Sequence, residues 1–462
     1  AFEGDHVAVE RLVEAGAELD HSDEHQWTAL HYAANFSEDG GRRNDSDIVA
    51  IIAQEGADLN QRNDYNKTPL MLALSNDRKE VRDALIEAGA KLDISYEDGT
   101  SLLGRTLEQG DASSVKALIK GGAVFKEIGV DRLGFVFEVM AKGDVELVKL
   151  LLKQDKVVAL EKDDGWNLLH WLASGEGVGI DRIKRRAGQE LINAGVKIDS
   201  MEDKGRTPLH LSVANHESTV RDVLIEAGAD ITKFDDRGRT PLIQAARSEN
   251  QKAVKALVDE GADVKAVADN GVTALMRAVY NGDLETVEAL LEAGANPDVR
   301  DSEGWTPLHF LANAKDKGNR LQDAAIAKAF IKSGARLESR DQLGRTPLFL
   351  AVANNRQAIV TRLIQAGANV NIDRNNGWTP DALINELVTP LMLAALNGNR
   401  DVARGLLEYD LNLSITNKYG STAIDVAKEQ QDYEVLAEIL EAKHSKNQAQ
   451  TSNRDSSLSA ER

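Results

Sequence analysis

Two short stretches and one scattered set of residues have the types and spacing of reactive sites. His21-Ser22-Asp23-Glu24-His25 has the His-x-x-Glu-His spacing of zinc hydrolases, where two imidazoles hold the metal and the carboxylate acts as base. That chemistry needs both histidines on one helical face, and this segment reads as a turn ahead of Thr28. Gly99 through Thr106 reads Gly-x-x-x-x-Gly-Arg-Thr, one residue from a phosphate loop. The lysine that would reach the phosphates is Arg105, and no strand precedes the segment. His31, His170, His210 and His309 are spread along the chain, not gathered. No Ser-His-Asp grouping breaks from this even spread, although a triad is spatial and sequence does not exclude one. Cysteine is absent, which removes disulfides, thiolate metal ligands and a thiol nucleophile. The expectation is a protein that is not an enzyme and needs no metal or cofactor.

The elements that carry these residues repeat. Gly205-Arg206-Thr207-Pro208-Leu209-His210 recurs as Gly238-Arg239-Thr240-Pro241-Leu242, as Gly304-Trp305-Thr306-Pro307-Leu308-His309 and as Gly344-Arg345-Thr346-Pro347-Leu348. Gly-Ala pairs follow at Gly228-Ala229, Gly261-Ala262 and Gly367-Ala368. Thr is placed to cap a helix and Pro to occupy its first position, where no N–H is needed. Leu and Ala at helical spacing bury one face. A second helix carries Val220, Val223, Leu224 and Ile225, and Gly228 ends it in the left-handed region. One such unit cannot bury its apolar face alone, so the units must stack.

These motifs resemble the ankyrin repeat, over roughly residues 1 to 442. The resemblance implies an all-α ankyrin-repeat solenoid of stacked helix pairs with short β-hairpin-like turns. It also implies that the recurring His hydrogen-bonds the turn framework. About thirteen repeats are expected, starting at Thr28, Thr68, Ser101, Gly134, Asn167, Thr207, Thr240, Thr273, Thr306, Thr346, Thr389 and Thr422. A truncated copy precedes them, with Gly4, Val9, Leu12 and Gly16-Ala17 in register, which reads as a fragment of a longer chain. Residues 443–462 are polar and read as a disordered tail.

A longer period overlies the short one. Thr28, Asn167 and Thr306 begin repeats of 40 residues instead of 33 and stand 139 residues apart, the mark of a duplicated four-repeat block. The extra residues lie in Phe36–Asp47, Ser174–Arg186 and Ala314–Ala325, enough to lengthen each helix of the pair by about one turn. Ser101-Leu102-Leu103-Gly104 and Gly134-Phe135-Val136-Phe137 are degenerate starts without the Thr cap or the Pro, and Asp155 replaces a terminal Gly. Irregular structure is expected there.

The long repeats share aromatics. Trp27, Trp166 and Trp305 precede the cap, and Tyr32, Trp171 and Phe310 stand four residues after it. The resemblance places both positions beside the concave groove where ankyrin repeats bind proteins. Two readings stand open: rings that pack over the longer helices, or anchors for a partner. Four repeats apart, they would lie roughly 40 Å from one another at 8–10 Å per helix layer, as separate footholds. A second candidate surface is a basic strip of Arg206, Arg239, Gln244, Arg247, Arg277 and Tyr280, expected to receive an acidic segment, although Asp235, Asp236 and Asp269 lie close by. Trp378 sits in an insertion, Asp381–Val388 following it before Thr389.

With 55 Lys and Arg against 75 Asp and Glu, the net charge is −20 over 462 residues, which argues against nucleic acid as a partner. No apolar run reaches the ~18–20 residues that span a bilayer. A monomeric protein-binding scaffold or adaptor is expected, taking another protein along the concave face. Two alternatives are an inhibitor or immunity-type protein that blocks a basic enzyme or toxin, and an interaction module of a larger enzyme. The cytoplasm is the expected compartment, with a bacterial periplasm or secretion as alternatives.

Overall fold

Several inner helices begin where a hydroxyl meets a proline. Thr240 Oγ1 accepts from Ile243 N at 3.3 Å, and Pro241 opens the helix Pro241–Arg247. Thr346 does the same for Phe349 N at 3.2 Å ahead of Pro347–Ala353. Thr273 caps Met276 N at 3.2 Å without a proline behind it. Several outer helices start on Asp or Asn: Asn250 caps Ala253 N and Asp283 caps Thr286 N, each at 3.1 Å. They end before a left-handed glycine, as at Gly261 (φ 83°), Gly294 (φ 88°) and Gly367 (φ 91°).

The computed structural model describes residues 5–35, 45–124, 132–153, 164–175, 181–313, 322–371, 389–409, 411–417 and 419–445. These form all-α structure, inner helices alternating with outer ones along the chain. Helix His6–Glu14, capped by Asp5, is the outer helix of the truncated first repeat. The last helix runs over 433–445. Isolated bridges Ser95–Ser101 and Val267–Thr273 close two of the turns as rudimentary hairpins. Trp378, Asp155, most of the three insertions and residues 446–462 lie outside the described residues.

The chain divides into two compact units, one of residues 1–203 with 222–229, the other of 204–221 with 230–462. In each, inner helices stack on inner helices and outer on outer: Ala29–Asn35 on Pro69–Ser75 in the first, Pro241–Arg247 on Ala274–Asn281 in the second. The core is the seam between the two rows. Leu85, Leu118 and Val148 are fully buried in the first unit, and Leu257, Val279, Leu290 and Phe330 in the second. Each such apolar side chain contributes about 1.5–3 kcal/mol through burial.

The turns stack as well. In the second unit Asp236 N donates to Lys204 O (3.1 Å), Asp269 N to Arg237 O (3.2 Å), Ser302 N to Asn270 O (3.0 Å) and Gln342 N to Glu303 O (3.1 Å). This ladder requires glycine in the turn. Gly238 has φ 65°, and a Cβ there would meet Asp269 Oδ1 at 2.4 Å and Asp269 N at 2.7 Å.

Three sequence expectations need correction. In the middle long repeat the insertion does not lengthen the inner helix: Leu168–Ser174 has seven residues, like Pro241–Arg247, while the residues after Asn35 and Asn313 lie outside the described ones. Leu168–Ser174 stops at Gly175 with φ 83°, a left-handed stop that no helix continues through. The outer helix is longer by about one turn in the middle copy, 13 residues in Asp181–Asn193 against nine in Gln251–Asp259, and by one residue in Asp45–Gln54 and Asp323–Lys332, with 10 each. Second, Ser101 does cap its helix, accepting from Gly104 N at 3.0 Å, so that unit is less degenerate than its sequence. Third, Arg132–Ala141 begins ahead of Gly134, since neither a cap hydroxyl nor a proline stands there to fix its first turn.

Candidate partner-binding surface

The recurring histidines are built into the framework. His210 Nδ1 lies 2.9 Å from Thr207 Oγ1 and accepts from Thr207 N at 3.3 Å. Its Nε2 is 3.0 Å from Arg239 O. A carbonyl only accepts, so the Nε2 carries the proton and the ring is neutral. His309 repeats this with Thr306 and Arg345 O, and His31 with Thr28 and Lys67 O. Burial holds all three below the ordinary histidine value.

The other reactive-looking motifs dissolve in the same way. His21 to His25 lie in a turn, and His25 faces Asp64 at 3.7 Å and Glu24 at 3.8 Å. Arg105 pairs with Asp98 and lies 5.1 Å from the Tyr96 ring centroid, while Gly104 is inside the helix Leu102–Glu108. Among the described residues no cluster of metal-binding side chains forms, and no helix is long and apolar enough to cross a membrane.

The three tryptophans are half-buried and lean on their own repeats. Trp27 sits 6.0 Å from His31 and 5.2 Å from Tyr32. Trp166 sits 6.0 Å from His170, and Trp305 6.3 Å from His309. Phe310 meets Trp305 edge-on at 5.4 Å, and the Arg345 guanidinium lies 5.6 Å from the Trp305 centroid. Tyr32 donates to Asp23 Oδ2 at 2.5 Å, a bond that lowers the Asp23 pKa and raises that of Tyr32. Each indole therefore covers a framework histidine and keeps one side exposed. Trp171 is only 7% exposed and is a core ring.

The basic strip is gathered more tightly. Arg237, Arg239, Arg247 and Arg277 line one cavity of about 330 Å³ with Asp269, Asn270, Ile243, Ala268 and Val272. Thr240, Thr273 and their helices set Arg247 and Arg277 on neighbouring inner helices, while Arg237 and Arg239 come from the turn before. Asp235 fixes Arg239: its Oδ1 accepts from Arg237 N and Arg239 N at 2.9 Å, and its Oδ2 from Arg239 Nε at 2.8 Å. Arg247 and Arg277 have no ion-pair or hydrogen-bond partner for their side chains among the described residues, and Arg277 Nε is buried. Burial lowers the Arg277 pKa, and the nearby charges of Arg247 and Arg239 lower it further.

Tyr280 is exposed and close enough to Arg277 to act on it electrostatically. Gln244 is 6% exposed and donates to Ser248 Oγ at 3.0 Å, so it offers a partner little surface. Arg206 is half-buried one repeat earlier, where its charge lowers the His210 pKa. Sequence reasoning missed Arg237, whose signal was its place in the Asp235–Gly238 turn. It also missed the exposed pair Phe234 and Val267, which stand at the same position of successive turns.

The chain belongs to the ankyrin-repeat family. The family model described as "Ankyrin repeats (3 copies)" matches residues 1–98, 135–235, 183–268, 260–321 and 319–384. A second, "Ankyrin repeats (many copies)", matches 381–427. Among its relatives, the chicken nuclear factor NF-kappa-B p105 subunit is 28% identical over 36% of this chain and 17% of its own length. Human inversin is 25% identical over 38% of this chain and 20% of its own. Rat protein phosphatase 1 regulatory subunit 12A is 32% identical over 28% of this chain and 11% of its own. The chain thus spans no more than about a fifth of the length of these relatives.

Proposed function

We propose that this chain is a non-enzymatic protein-binding scaffold that holds an acidic segment of another protein on the turn and inner-helix side of its second unit. The observation that carries this reading is the cavity in which Arg247 and Arg277 lack counter-charges while every framework histidine is already satisfied. A relative named as a regulatory subunit of a phosphatase supports the interaction role in general terms. The half-exposed Trp305 and Phe310, with the exposed Phe234 and Val267, supply apolar surface in the same unit for the rest of the segment. In the first unit Trp27, Tyr32 and Trp166 are the corresponding footholds.

A fluorescent peptide of consecutive glutamates, titrated with the protein, tests this reading. Arg239→Glu with Arg277→Glu reverses the charge of the cavity and should abolish binding, and added salt should weaken the native complex. Unchanged affinity in that variant sinks the role of the strip.

A further inference from the structure

The arginine cavity has a charge and a shape that narrow its occupant, an inference that rests on the acidic-segment reading above. Its four arginines are Arg237, Arg239, Arg247 and Arg277. Asp235, bonded to Arg239, and Asp269 supply two of the counter-charges, which leaves two positive charges unmatched. A carboxylate brings one negative charge and two oxygens. A phosphate monoester brings about −1.5 to −2 at neutral pH and three acceptor oxygens. The planar guanidinium fork suits such oxyanions, and a buried donor such as Arg277 Nε is costly until an acceptor reaches it.

Size agrees. About 330 Å³ is room for roughly ten water volumes of ~30 Å³, enough for a phosphoryl group together with the side chain that bears it. Ile243, Ala268 and Val272 give the cavity an apolar wall for that side chain's carbon stem. Arg247 and Arg239 crowd Arg277 with like charge, a strain that a bound dianion relieves.

We propose that the cavity between Arg247 and Arg277 binds a phosphorylated serine or threonine in an extended segment of a partner protein.

The test compares three labelled peptides that differ at one central residue: phosphothreonine, glutamate or threonine. At pH 7.5 the phosphothreonine peptide should bind at least about tenfold more tightly than the glutamate peptide, as expected for a second charge held by arginine forks. Arg277→Gln and Arg247→Gln should each remove most of that preference. Arg277→Lys, which keeps the charge but loses the fork, should retain part of it. Arg336→Gln, a substitution of an exposed arginine outside the cavity, should bind as the native protein does. Lowering the pH to 5.5 protonates the phosphate, whose second pKa is about 6, and should weaken the phosphopeptide alone. Thermal unfolding of each variant separates lost binding from lost folding.

Equal binding of the glutamate and phosphothreonine peptides overturns the phosphate assignment and leaves the basic-strip reading standing. Failure of every anionic peptide to bind overturns both. Phosphopeptide binding that survives Arg277→Gln and Arg247→Gln, with both variants folded, moves the site elsewhere and overturns the assignment.

Discussion

Trp305 and Arg277 belong to adjacent repeats of one unit, yet their surroundings are opposite. Trp305 is partnered on its inner side: His309 and Phe310 pack against the indole, and Arg345, tied to Asp341, lies 5.6 Å from its centroid. Arg277 is open: its buried Nε has no acceptor and its nearest charged neighbours include two of its own kind. The contact of the indole with its framework histidine recurs in all three long repeats, whereas the arginine cavity occurs where a repeat departs from its neighbours. Recurrence accompanies contacts made within the fold, and the exception leaves a buried donor unsatisfied.

The largest effect that bears on this contrast comes from the partnered site. Trp305→Ala should cost about 2–3 kcal/mol, less than a fully buried tryptophan because one side of the ring is exposed. Urea unfolding followed by hydrogen exchange over 305–313 reads it. A loss below about 0.5 kcal/mol would show that the ring is held for a partner and not for packing.

Acidification should give the next largest effect. His210 and His309 are kept neutral in the folded chain, with pKa values below the ordinary value of about 6.5. Their contribution is complete above about pH 6.5. It is lost as pH falls from there toward the folded value, because the unfolded chain then binds more protons. Each histidine contributes at most about 1.4 kcal/mol per pH unit in that window. A thermal unfolding midpoint that stays constant from pH 7 to pH 5.5 would contradict the neutral, doubly bonded rings.

The smallest effect sharpens the contrast most. Arg277→Met replaces a desolvated, unpartnered cation with an apolar chain that follows the arginine's carbon stem, and should leave stability unchanged or slightly raise it. If it destabilises the fold by as much as Trp305→Ala, Arg277 is structural after all and the two regions are not opposites.

The fold was legible because its rules are local. A hydroxyl, a proline and a glycine at fixed offsets determine where Pro241–Arg247 starts and where Gln251–Asp259 stops, and no distant contact is needed to read them. The insertions were less legible, since seven residues are consistent with a longer inner helix, a longer outer helix or neither, and Gly175 decides only through its left-handed backbone. At the candidate site, the spacing of Arg239, Arg247 and Arg277 put them on one strip. The fixing of Arg239 by Asp235, the turn-borne Arg237 and the withdrawal of Gln244 and Trp171 into the core depend on side-chain directions that spacing does not carry.

A neighbouring detail shows how loosely the duplicated block holds its members. Asp45 pairs with Arg78, and Asp323 with Arg356, across successive repeats of the first and last copies. The middle copy carries Lys184 and Glu217 at the matching positions, with the signs exchanged.

The turn-to-turn ladder has a consequence for how such a chain changes over generations. Each turn asks its neighbour for one backbone N–H and one carbonyl, groups every residue but proline supplies, and for the glycine that lets the two turns approach. A recombination event that removes or adds a whole 33-residue period rejoins the ladder without orphaning a backbone group. An event that cuts within a period strands a half-turn and a helix with no mate. Length is therefore free to vary in whole steps, and a local exception such as the arginine cavity can be moved along a lineage as a cassette of two adjacent repeats.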